Sequence, residues 1–183
     1  MRKIALLLAC CMLVLCCAVS CGEGAVGEYV PGVRTESGYS SDWLGLTFVP
    51  SENMCLSTAE EVEELLGEGT TVYEMLATDI KTNDSVILMT EEVGDDISIE
   101  DYIAALKTQM NSQSGISAEF GNTKTVRVGG GKYTRIGYTI TYDGYSVGQA
   151  MYFMKRGDQM VTICVTAADE SSENVIMSCF KAK

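Results

Sequence analysis

Between Tyr133 and Ala168 apolar and polar side chains alternate through three runs separated by two tight turns. Alternation with period two marks a strand, because successive side chains point to opposite faces of a sheet. In the first run Ile136, Tyr138, Ile140 and Tyr142 share one face, while Arg135, Gly137, Thr139 and Thr141 share the other. Asp143-Gly144 follows, a pair that tolerates the positive φ values of a type I′ hairpin. The second run puts Val147, Gln149, Met151 and Phe153 on one side and Ala150, Tyr152 and Met154 on the other. Both sides are apolar, so this strand is expected to be central and covered on both faces. Arg156-Gly157-Asp158 makes the next turn. Val161, Ile163, Val165 and Ala167 then alternate with Met160, Thr162, Cys164 and Thr166, again suited to two-sided burial. Three strands cannot hide two faces alone, so the rest of the chain must supply cover.

That cover is predicted from helical periodicity. Ser57 and Glu60 form a capping box opening a helix whose stripe is Ala59, Val62, Leu65 and Leu66, stopped by Gly67. Ser98 and Asp101 cap a second helix with the stripe Ile99, Tyr102, Ile103, Leu106 and Met110, and Ile97 is placed to staple onto Tyr102. Ser114-Gly115 ends it. Asp169 to Ser172 offer caps for a closing helix carrying Val175, Ile176, Cys179 and Phe180, with Lys181 and Lys183 at its C-terminal end. Further strands are expected over Trp43–Val49, where Leu44, Leu46 and Phe48 share a side, and over Thr71–Ile80 and Ser85–Val93. Two more strand-like runs, Ile116–Phe120 and Thr123–Val128, are interrupted at Gly121-Asn122. Gly129-Gly130-Gly131 lacks the following helix and the Lys-Ser/Thr of a phosphate loop, so it reads as a hairpin turn.

Composition narrows the function. The formal charge is −12. Taking Arg2 and Lys3 from the 13 basic residues, against 25 acidic ones, leaves −14 for everything after the leader. Such a surface repels nucleic-acid phosphates, so no nucleic-acid partner is expected. Histidine is absent, which removes Ser-His-Asp and Cys-His catalysis and His-ligated zinc.

At the N-terminus Arg2-Lys3 precede the uncharged stretch Ile4–Gly22, which fits either a secretion signal or a short membrane anchor. Ala18-Val19-Ser20-Cys21, followed by Gly22, decides for the signal. It resembles the lipobox of bacterial lipoproteins, with Ala18 where Leu is preferred. The resemblance implies a signal peptide over 1–20, a lipid on Cys21, and localisation on the extracytoplasmic face of the cell membrane. Cys10, Cys11, Cys16 and Cys17 are then leader residues. From Gly22 to Ser41 the chain is Gly- and Ser-rich and aperiodic, so 21–41 reads as lipidated cysteine plus flexible tether, with an r.m.s. span of about 25 Å. Tyr29 and Tyr39 offer contact points, though isolated tyrosines in such a stretch more often serve none. The globular domain is placed at 42–183.

Candidate chemistry is sparse. Glu60, Glu61, Glu63 and Glu64 read as the wet side of a helix near its positive end. The acidic segment Glu91–Asp101 lacks the ligand spacing of an EF-hand loop and reads as an acidic helix start, with cation binding left open. Beyond Cys21, three cysteines remain: Cys55, Cys164 and Cys179. At most one bridge can form, and Cys164–Cys179 is conceivable, but small apolar core residues are the simpler account. No thiol has an activating neighbour. No catalytic, cofactor-binding or metal residue is assigned.

Assembled, the elements give an α/β (α+β) sandwich: a single, largely antiparallel sheet of about six to seven strands with helices on both faces. The stretches Asp42–Pro50, Ile97–Lys107, Gly130–Tyr133 and the meander with its closing helix resemble the PsbP/Mog1-like fold, and within it small lipoproteins of Gram-positive gut bacteria. Domains of this kind are similar to photosystem assembly subunits and a Ran-binding protein, so the fold implies no single activity. The expected function is a membrane-tethered, extracytoplasmic, non-catalytic binding or assembly domain for a protein or cell-envelope partner. The alternatives are a small-ligand carrier, with Tyr138, Tyr142, Met151, Tyr152 and Met154 as lining, and a carboxylate-dependent envelope hydrolase.

Overall fold

The computed structural model describes residues 28–66 and 71–183. The signal peptide, Cys21 and the Gly67 helix stop lie outside the described residues. The chain order is β1 (Val33–Thr35), β2 (Gly38–Ser41), β3 (Leu46–Phe48), β4 (Met54–Leu56), α1 (Ala59–Leu66), β5 (Thr71–Asp79) and β6 (Ser85–Glu92). It continues with α2 (Ile99–Ser112), β7 (Ile116–Val128), β8 (Gly131–Tyr142), β9 (Tyr145–Arg156), β10 (Gln159–Thr166), α3 (Glu170–Met177) and β11 (Phe180–Ala182).

The alternating meander forms as its pattern dictates. β8, β9 and β10 pair in antiparallel register within a seven-stranded sheet ordered β4-β5-β6-β10-β9-β8-β7. Asp143 and Gly144 both have positive φ, as do Gly129 and Gly130, so both two-residue hairpins twist with their strands. Across β8 to β10, Ile136, Tyr138, Ile140, Met151, Phe153, Met160 and Cys164 fall in one core cluster. Tyr133, Ala150, Tyr152, Val161, Ile163 and Val165 fall in the other. Two-sided burial is therefore real, and the two faces are covered differently.

One face is covered by helices. Tyr102, Ile103, Leu106 and Met110 of α2 close over the first cluster, and Val62 and Leu66 of α1 meet Leu76 and Ile87. The predicted Ser98–Asp101 capping box is present, with Asp101 N–H donating to Ser98 Oγ at 3.1 Å. The first helix starts one residue later than its pattern suggested: Thr58 and Glu61 form the reciprocal pair, at 3.2 and 2.8 Å. Leu65, assigned to its buried stripe, is 37% exposed, and Ala59 is exposed.

The opposite face corrects the single-sheet expectation. It is covered by α3 and by a second, four-stranded sheet ordered β1-β2-β3-β11. Tyr39, Leu44, Leu46, Phe48 and Phe180 bring that small sheet into the core. Two of its strands come from 33–41, assigned above to the tether. The third correction is at the C-terminus, where Phe180–Ala182 pairs with β3 and does not extend the closing helix. Lys183 ion-pairs with Asp42 at 2.5 Å. Gly38 explains how so polar a segment becomes a strand: at φ +149°, an added Cβ would lie 2.1 Å from the Phe48 carbonyl oxygen, so only glycine allows β2 this close to β3.

Candidate functional site

Glu74 is the extra residue of a β-bulge, since Tyr73 faces Met89 and Met75 faces Leu88 with nothing opposite Glu74. A bulge re-aims a side chain, and here a carboxylate only 4% exposed turns toward the small sheet. The N-terminal segment closes around it. Tyr29 Oη donates to Glu74 Oε1 at 2.6 Å, and Gly32 N–H and Tyr39 Oη donate to Oε2 at 2.8 and 2.9 Å. Tyr29 Oη in turn accepts from Thr90 Oγ1 at 2.7 Å. Arg34 Nε donates to the Glu74 carbonyl and Nη2 to the Tyr73 carbonyl, each at 2.6 Å. The Tyr29 ring meets Trp43 edge-on at 5.2 Å, and the Arg156 guanidinium lies 4.9 Å from the Trp43 ring centre. Burial and the adjoining Glu74 carboxylate hold the Tyr29 and Tyr39 hydroxyls protonated far above their ordinary range. The result is a built joint: 29–41 is a strap locked onto the body by a buried anion.

Sequence reading missed this site. Alternation identifies strands that bury a row of apolar residues, whereas 29–41 buries chiefly one tyrosine and otherwise makes polar bonds to residues far away in the chain. Glycine at 38 beside Tyr39 was the available signal.

The other buried acids are also engaged by neighbours. Glu173 on α3 accepts from Arg135 Nε at 2.6 Å and Nη2 at 2.5 Å, and from the Tyr152 hydroxyl. Burial pushes its carboxyl up, but the Arg135 and Tyr152 bonds outweigh that and hold it below the usual range. This fork pins α3 to the large sheet. Glu91, read from sequence both as the end of a strand over Ser85–Val93 and as the beginning of an acidic helix start, lies within β6, is 3% exposed and accepts from Tyr102 Oη at 2.6 Å. Burial pushes its carboxyl up despite that bond. In the following loop, Lys155 Nζ donates to the carbonyls of Gly94, Asp95 and Ile97 at 3.1, 2.6 and 2.7 Å. The chain's own ammonium thus sits among the oxygens a cation would use. Among the described residues no group of three His, Cys, Asp or Glu is placed to hold a metal ion.

Glu74, Glu91 and Glu173 belong to three separate hydrogen-bond networks, each oriented by tyrosine. Of the residues proposed to line a ligand cavity, Tyr138 borders an open depression of about 360 Å3 with Glu119, Phe120, Gly121, Gly137 and Thr139. Met151 and Tyr152 are packed in the core, and Tyr142 is 47% exposed. Cys55, Cys164 and Cys179 are free thiols, and burial pushes Cys164 up to about 11.

Beyond these networks, β7 forms one margin of the seven-stranded sheet. It is 13 residues long and mostly exposed, with a bulge where Gly121 and Asn122 together face Gly137. Among the described residues no strand pairs with its outer side, the arrangement that strand addition uses.

The chain aligns over 90% of its length with 98% of cyanobacterial PsbP (CyanoP) from Synechocystis, at TM-score 0.54 and 14% identity. The fold is PsbP-like. LpqN, involved in cell envelope biogenesis of Mycobacterium tuberculosis, aligns over 73% of this chain and 76% of its own, at TM-score 0.42 and 11% identity. No family model and no curated protein matches the sequence. Among the described residues of the PsbP-like domain, no helix is long and apolar enough to cross a membrane.

Proposed function

We propose that the chain is an extracytoplasmic lipoprotein, moored by acylated Cys21, whose PsbP-like domain is a non-catalytic binding or assembly module for a protein or cell-envelope partner. The observation that carries this reading is the Glu74 joint. It ties Tyr29, eight positions after the lipobox cysteine, into the body of the fold. Eight residues of extended chain reach at most about 28 Å, so the domain is held at the bilayer surface and not suspended on a twenty-residue leash. A buried anion fastening the root of the tether has a mechanical use if the domain is pulled on from its N-terminus. The non-catalytic part is supported by the dispersal of the buried carboxylates and by their engagement with tyrosines and arginine.

The test is purification of the full-length lipoprotein from its own membranes after in-cell cross-linking. A protein or envelope polymer recovered in constant proportion with wild type supports the reading. Recovery of the protein alone from every cross-linking geometry contradicts it.

A further inference from the structure

The exposed margin of the sheet is self-complementary. In a regular strand Glu119 and Lys124, five residues apart, would point to opposite faces. The bulge changes that. Glu119 stands opposite Thr139 and Lys124 opposite Arg135 on β8, so both side chains lie on the face of the sheet away from α2. Phe120, opposite Tyr138, and Thr123, opposite Ile136, both lie on the α2 face. In an antiparallel pair, opposed residues share a face. A two-fold axis at Gly121-Asn122 therefore brings Glu119 opposite Lys124 of a second copy, Phe120 opposite Thr123 and Ala118 opposite Thr125, every pair on matching faces. The axis generates the Glu119–Lys124 contact twice. Slipping the register by two residues sets Glu119 against Asn122 or Val126, and both ion pairs vanish.

Charge elsewhere favours the same margin. The β7–β8 hairpin carries Lys124, Arg127 and Lys132 against Glu119, with Arg135 already paired to Glu173, in a chain of formal charge −12. Two such acidic molecules repel less at this basic stretch than their overall charge implies. Lys124 makes a 3.7 Å ion pair with Glu170, but both side chains are more than half exposed, so that contact competes weakly.

We propose that β7 pairs antiparallel with β7 of a second copy about this axis, joining two seven-stranded sheets into one. The contact is narrow, which makes the dimer weak in dilute solution, and confinement of a lipid-anchored protein to a membrane plane raises its effective concentration. The pairing itself does not depend on acylation. The test is sedimentation equilibrium of the full-length chain in neutral detergent at low salt. Wild type is expected to dimerise. Glu119→Lys and Lys124→Glu should each weaken dimerisation about tenfold or more, since attractive contacts become like-charge contacts, and the double reversal should restore it to within about threefold. Glu170→Gln, which removes only the intramolecular partner of Lys124, should not weaken it. A monomeric wild type, a double reversal as weak as the singles, or β7 cross-linked only to a different protein would overturn the proposal.

Discussion

Tyr29 and Glu74 stand 45 positions apart, and a 2.6 Å hydrogen bond joins them. The bond is one of several that converge on a carboxylate delivered by a bulge, and they turn an apparently loose N-terminal segment into part of the body. Removing the anion leaves two tyrosine hydroxyls and a backbone N–H to find other partners. Glu74→Ala is therefore expected to cost about 3–5 kcal/mol in urea unfolding, and Tyr39→Phe about 1–2 kcal/mol. Limited proteolysis supplies a local readout: Glu74→Ala should open 29–41 to cleavage under conditions where wild type is resistant. Unchanged unfolding and unchanged cleavage would mean that the strap is not held by Glu74.

Much of the large sheet was legible because burial there is written as alternation. Val161, Ile163 and Val165 against Met160, Thr162 and Cys164 can be read from the chain alone, and so can the Ser98–Asp101 cap. In the small sheet β3 was legible, through Leu44, Leu46 and Phe48 on one side. β1 and β2 are three and four residues long, too short for period to show, and they are fixed by contacts to Glu74 and Phe48 that no local pattern announces. Phe180 misled for a related reason: its spacing from Ile176 suits a helix, but pairing with Phe48 captures it into a strand. Glu91 fell within the predicted strand Ser85–Val93, but its burial shows only in the sheet register, where it stands opposite Met160.

The two other buried glutamates should give pH dependences of opposite sign. Glu173 is held below the ordinary value of 4.5, so its contribution is fully present above that value and is lost as pH falls through its folded pKa. Glu91 is pushed above 4.5, so the folded state binds its proton more tightly than the unfolded chain does, and stability declines as pH rises through that range. Thermal melts from pH 3 to 7 should show Glu173→Gln removing an acid-side loss. Glu91→Gln, which keeps an oxygen for Tyr102, should remove the opposing decline and raise Tm at pH 7. Identical profiles for wild type and both variants would contradict these assignments.

Thiol labelling under native conditions should separate the cysteines. Cys55 is exposed and should react with a maleimide within minutes. Cys164 is buried, with burial pushing its thiol up to about 11, and should react only as the sheet opens. Denaturant should bring Cys164 and Cys179 to the rate of Cys55. Fast native labelling of Cys164 would show a sheet less closed than the packing of Tyr138 and Met160 around it implies.

The proposed mooring rests on acylation of Cys21. Intact-mass and N-terminal peptide spectrometry of the protein extracted from its own membrane tests this directly. The predicted result is a chain that begins at Cys21 and carries a diacylglyceryl group on that sulfur. A chain with residues 1–20 still attached and an unmodified Cys21 thiol would contradict it.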